Sequence, residues 1–154
     1  MGRTTAGRQE PQLSRDDYLA IGGFRQALRR FLAFSEAGAR AQGLTAQQHQ
    51  ALLAIRVHQG PEPISVGELA QALLIKNHSA VGLVSRLQDR GLVLRQVSSG
   101  DRRRVLLTLT PDAEAILAAI TRANLLELKS SAKAFRNLLT ALQRLDERAS
   151  TPPP

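Results

Sequence analysis

There is no cysteine in this 154-residue chain. That single absence removes disulfides, thiolate nucleophiles, thiol redox switches and Cys-ligated zinc. There is no tryptophan, one tyrosine and one methionine, and aromatic residues make up 3%. A core must then be built from Leu, Ala, Val and Ile, which favours helices. No apolar run reaches the roughly 18 residues that a membrane span requires. The opening stretch MGRTTAGRQEPQ lacks the apolar segment of a secretory signal, so the expected location is the cytoplasm. Catalytic signatures are missing too. No glycine-rich phosphate loop follows a strand, no G-x-S-x-G occurs, and no paired carboxylates stand near a histidine. Asp16-Asp17 and Asp146-Glu147 fall at helix ends, where charge placement accounts for them. His49 and His58 share one expected helix without a metal-ligand spacing, and His78 lies on another. No enzyme activity, metal site or cofactor is expected.

What the chain does have is positive charge. Twenty-one Lys and Arg stand against 13 Asp and Glu, a formal net charge of +8, with a pI near 11.3. This balance points to a polyanionic partner, either nucleic acid or an anionic membrane surface. Solubility alone is the plainer account, so the patterning has to decide.

Residues 1–13 are polar, with Gly2, Gly7 and Pro11, and read as a mobile arm; 149–154, ending in three prolines, read as a tail. Between them 14–148 read as a single domain. Ser14 can cap a long helix reaching about Arg40, with Phe24, Leu28, Phe31 and Leu32 along one face and Gly43 closing it. Thr45-Ala46-Gln47-Gln48 and Ser65-Val66-Gly67-Glu68 are capping-box patterns. They open a helix to about Gln59 and a short helix through Leu73. Asn77 is expected to cap the next helix, which stops at Gly91. Leu92–Val97 and Arg104–Leu109 read as two strands of a hairpin. Thr110-Pro111-Asp112 starts a helix to about Lys133, and Phe135 to Arg148 can form a last one with Leu138, Leu139, Leu142 and Leu145 on its apolar side.

Residues 65–109 taken together give short helix, tight connection, capped helix and hairpin, the order of a winged helix-turn-helix. The fold class expected is mainly α with a small β-hairpin wing. In the capped helix Ala80, Leu83, Val84 and Leu87 share the core face. His78, Gly82, Ser85 and Asp89 then fall opposite, flanked by Ser79, Val81 and Arg86. That outer face suits a major groove. Asn77, His78, Ser79 and Ser85 can hydrogen-bond base edges or phosphates, Val81 can meet a thymine methyl, and Gly82 permits close approach. A merely solvated polar face is the alternative. The hairpin tip, SSGDRRR, weighs against it. One acid against three arginines makes a poor neutral turn, whereas guanidinium groups suit phosphates and narrow minor grooves. Asp101 is expected to hold one arginine by an ion pair. Arg104, where the return strand begins, is the weaker candidate for DNA and can face solvent.

SVGELAQALL, HSAVGLVSRLQDRGLV and GDRRRVLLTLTP resemble the MarR family of multiple antibiotic resistance regulators, across about residues 16–148. The resemblance implies a homodimeric, sequence-specific, double-stranded-DNA-binding regulator, usually a repressor. It implies a winged helix over about 45–110 and dimerisation helices over about 14–42 and 111–148. It puts the recognition helix on Asn77–Arg90 and the wing's Asp and Arg pair on Asp101, Arg102 and Arg103. Two departures stand out. Ser98-Ser99 replaces a frequent Asp-Pro, and Gly82 replaces a larger polar residue. Many regulators of this family bind a small, often aromatic, acid in a crevice between the dimer helices and the DNA-binding lobe. Tyr18, Arg25, His49 and Arg56 are candidates for it, with ordinary packing or surface roles as the alternative for each. Two other readings use the same residues: a winged-helix protein-interaction module, and a basic amphipathic protein on a membrane surface.

Overall fold

The computed structural model describes residues 12–150; the expected arm and tail lie largely outside them. Six helices and one hairpin follow in order: α1 (Arg15–Ala41), α2 (Ala46–Val57), α3 (Val66–Ala72), α4 (Asn77–Asp89), β1 (Val93–Val97), β2 (Val105–Leu109), α5 (Pro111–Ser130) and α6 (Ala132–Ser150). None of the described helices is long and apolar enough to cross a membrane.

Local chemistry sets most of these boundaries. Ser14 and Asp17 bond reciprocally at the start of α1, the Ser14 amide donating to the Asp17 carboxylate at 2.7 Å and the Asp17 amide to the Ser14 hydroxyl at 3.3 Å. Thr45 with Gln48, and Ser65 with Glu68, form complete capping boxes for α2 and α3. Thr110 accepts the Ala113 amide at 3.3 Å ahead of Pro111, as a helix with proline in its first turn requires. Two expectations need correction. Asn77 does not cap α4; Lys76, in extended conformation, occupies that position without a side-chain cap, and Asn77 is the first helical residue. The junction of the last two helices comes earlier than expected, with Ser131 between them rather than a break near Lys133.

The chain divides into two compact units. The second, Ala33–Leu125, holds the larger core. Leu44, Leu52, Leu69, Leu83, Val84, Leu87, Val93 and Leu107 are essentially inaccessible there. β1 and β2 pair antiparallel, Val93 opposite Leu109 and Val97 opposite Val105. The residues before α3 join this hairpin, since the Leu107 amide donates to the Ile64 carbonyl at 2.9 Å and Ser65 bridges to Leu106. The wing is therefore fastened at its root to the start of α3.

The first unit comprises the described residues up to Leu32 and from Leu126 onward. Phe24 and Phe135 meet edge to face at 5.6 Å, and Ala20, Ala27 and Ala141 are buried. The apolar faces of its helices are only partly covered: Leu19, Leu28, Leu32, Leu126, Leu139 and Leu142 remain open.

Candidate nucleic-acid interface

The residues of α4 divide between core and surface as their spacing dictates. Ala80, Leu83, Val84 and Leu87 are at most 1% exposed. Asn77, His78, Ser79, Val81 and Arg86 are exposed, and Gly82 and Ser85 half-buried. Gly82 leaves room at the surface, where an added Cβ would meet only the Arg86 guanidinium at 3.5 Å. The result is an outward face of short polar side chains on a helix held by four buried ones.

The arginine tip is built by a β-turn. The Arg104 amide donates to the Asp101 carbonyl at 2.9 Å, and the Ser98 amide to the Arg104 carbonyl at 3.0 Å. Arg102 and Arg103 are thus the two corner residues of the turn, and both are exposed. Asp101 does not pair with an arginine side chain as expected. Its Oδ1 accepts the Arg103 amide at 2.9 Å, the self-bonded geometry that makes aspartate a turn residue. Buried Ser98 accepts the Gly100 amide at 3.3 Å. Short local bonds therefore shape the tip, and the corner guanidinium groups have no ion pair among the described residues.

Arg104 behaves otherwise. It does not stand out in solvent: its Nη1 lies 3.0 Å from Glu62 and its Nη2 3.2 Å from Glu68. Glu68 also accepts the amide and hydroxyl of Ser65, at 2.7 and 2.6 Å. These Ser65 bonds, helped by the Arg104 charge, hold the Glu68 carboxyl below the ordinary carboxylate range. Arg104 is the bolt between wing and α3.

Between wing and helices lies a cleft of about 400 Å³, bounded by Ser65, Asn77, Val81, Arg95, Arg103 and Arg104 among others. It brings together Asn77 and Val81 of α4 with Arg103 and Arg104 of the wing. Arg95 was missed in the sequence. The alternation that buries Val93 carries Arg95 onto the same strand face, where its Nη2 donates to the Val81 carbonyl at 3.4 Å. That periodicity was the available signal.

The residues considered for an effector are not gathered in one unit. Tyr18 and Arg25 belong to the first, His49 and Arg56 to the second. Tyr18 is exposed. His49 is buried, its Nε2 has no hydrogen-bond partner among the described residues, and burial lowers its pKa. Arg56 pairs with Glu114 at 3.1 Å on the edge of an open groove of about 820 Å³, lined also by Leu53, His58, Leu117 and Arg122. Among the described residues no cluster of acidic or histidine side chains is arranged to hold a metal ion.

Residues 42–104 match the profile of the MarR family. Solved structures agree over most of the chain. A MarR family transcription regulator superposes with a TM-score of 0.65 at 25% identity, covering 84% of this chain and 89% of its own. BpsR of Bordetella bronchiseptica, whose DNA binding is regulated by 6-hydroxynicotinic acid, gives 0.59 at 25% identity, covering 79% and 94%. MepR of Staphylococcus aureus in complex with DNA shares the fold at 23% identity and a TM-score of 0.59, covering 83% and 98%.

Proposed function

Residues 42–104 match the MarR family of transcription regulators, and from that match we propose that the chain is a member of it, a homodimeric repressor that reads a pseudo-palindromic operator. The observation that carries the reading is the pairing of two unlike surfaces in one unit. α4 offers Asn77, His78, Ser79, Val81, Gly82, Ser85 and Arg86 on an outward face, and the wing offers Arg102 and Arg103 at the corners of a turn. The first reads base edges in a major groove; the second reaches the adjacent minor groove and its phosphates. Asp101 and Arg104 serve this indirectly, one shaping the turn and the other fixing the wing's root.

In this proposal residues of about 45–110 read DNA, and the flanking helices over about 14–42 and 111–148 dimerise. The apolar side chains left open on α1, at the end of α5 and on α6 support that division, among them Leu19, Leu32, Leu125, Leu126 and Leu139, each at least half exposed. A small aromatic acid releases the protein from DNA. Leu53 and Leu117 would take such a ring in the α2–α5 groove, and Arg56 or Arg122 its carboxylate. BpsR, with its 6-hydroxynicotinic acid, is the precedent.

The test is selection of bound sequences from random DNA, repeated with a panel of aromatic acids and accompanied by light scattering. The expected product is an inverted repeat with half-sites about one helical turn, roughly 34 Å, apart. A monomer at micromolar concentration that still binds one asymmetric site tightly would overturn the dimeric reading.

A further inference from the structure

Arg90, the arginine of the R-G-L-V stretch, takes no part in the reading above. Its surroundings nonetheless give it a task. α1 and α4 end by the same device. Each runs into a glycine in the left-handed region, Gly43 at φ 71° and Gly91 at φ 67°. Each glycine is followed by a leucine turned into the core, Leu44 and Leu92. The Leu44 amide closes on the Ala39 carbonyl and the Leu92 amide on the Leu87 carbonyl, both at 2.9 Å. Helix ends of this kind leave nearby carbonyls in want of donors.

Arg90 stands between these two ends. It is the C-cap of α4, and its Nη1 donates to the Gly43 carbonyl at 2.6 Å. Its Nη2 would lie only 3.3 Å from a Cβ placed on Gly43, so the guanidinium is laid against that backbone. A third helix end arrives at the same place. Thr110, ahead of α5, donates its hydroxyl to the Gly91 carbonyl at 2.8 Å and its amide to the Leu92 carbonyl at 3.1 Å. The C-terminus of α4 is thus clamped to the end of α1 by its own side chain, and to the start of α5 by two bonds.

We propose that Arg90 is a positioning residue for operator discrimination. It sets the tilt of α4 against the end of α1, and so aims the base-reading side chains at the far end of α4. This rests on the reading of α4 as the recognition helix. The four buried residues of α4 fix where the helix lies; the clamp removes its remaining freedom to rock. A helix of 13 residues is about 20 Å long. Rocking it by about 5° around its C-terminus moves Asn77 and His78 by nearly 2 Å, judged from that length. Hydrogen bonds to base edges tolerate only a few tenths of an ångström. Long arginines on phosphates adapt to such a shift. Loosening the clamp should therefore lower discrimination and leave non-specific binding intact.

The experiment compares wild type, Arg90→Ala, Arg90→Lys and Ser85→Ala as full chains, by fluorescence anisotropy on the selected operator and on a random duplex across a salt series. For Arg90→Ala the operator-to-random affinity ratio should fall by up to roughly tenfold, the range of one lost hydrogen bond. Its random-duplex affinity and salt slope should match wild type. Arg90→Lys, which keeps a donor, should recover most of the ratio. If Arg90→Ala does not fold, Arg90→Met keeps an unbranched stem of similar reach without any donor, and the same loss of ratio is expected. A salt slope flattened by about one unit would make Arg90 a phosphate contact and overturn the proposal. An unchanged ratio alongside a Ser85→Ala effect would overturn it while sparing the role of α4. If neither variant moves the ratio, the α4 reading fails and this inference fails with it.

Discussion

Replacing Arg102 and Arg103 together by alanine isolates what the wing tip does. Both occupy the corners of the Asp101–Arg104 turn, both are exposed, and the turn's own bonds run through backbone atoms and Asp101 Oδ1. The double variant should therefore keep the turn and lose two charges. If each guanidinium neutralises one phosphate, the slope of log affinity against log salt should flatten by about 0.9 per residue, or about 1.8 in all. Raising salt from about 50 to about 200 mM should then cost wild type roughly twelvefold more affinity than the variant. Preference for A·T-rich flanks should weaken as well, because a narrow minor groove is what attracts arginine. Arg104→Ala is the control from the same loop. Its two ion pairs are partly exposed, with Arg104 side-chain exposure at 39%, so after solvent screening its loss should appear as about 1 kcal/mol of stability in a urea melt. Fluorescence anisotropy on a labelled operator measures the slopes directly. Equal slopes for wild type and the double variant would refute a DNA-contacting tip.

Glu68→Gln should destabilise at neutral pH and lose that effect in acid. A carboxyl whose folded pKa is lowered contributes stability above its unfolded pKa and gives it up as pH falls through the folded value. The gap between the two proteins in urea melts should close on going below about pH 4. Leu74 lies in the left-handed region at φ 54° with 93% of its surface exposed. Leu74→Gly should stabilise by about 0.5–1 kcal/mol, the strain relieved less the added chain freedom; destabilisation in the same melts would contradict this. Leu83→Ala, at a site 1% exposed, should cost about 3 kcal/mol. Mild peroxide should leave DNA affinity unchanged, since the chain has no cysteine to oxidise.

The legible features were those determined by neighbours in sequence. Capping boxes at Thr45 and Ser65, the Thr110-Pro111 start and the glycine stops at Gly43 and Gly91 depend on residues within a turn of one another, and each stands where it was read. The core face of α4 was equally plain, because a period of 3.6 residues leaves Ala80, Leu83, Val84 and Leu87 one side to share. Asn77 misled for a local reason: it is a favoured capping residue, but the chain turns one residue earlier, at Lys76.

Partnerships between distant residues were hidden. Nothing near Arg104 announces Glu62 or Glu68, which the pairing of Ile64 and Ser65 with β2 carries to it. Nothing near Arg90 announces the Gly43 carbonyl 47 residues earlier. In the sequence Arg104 differs from the other two arginines of the tip only in standing where the return strand begins, which allowed it to face solvent. Only the tertiary structure separates Arg102 and Arg103, left at the corners of a turn, from Arg104, drawn back onto two carboxylates. The physical reason is range: caps and helix faces are chosen by bonds closing within a few residues, whereas an ion pair needs two charges that only folding brings within 4 Å.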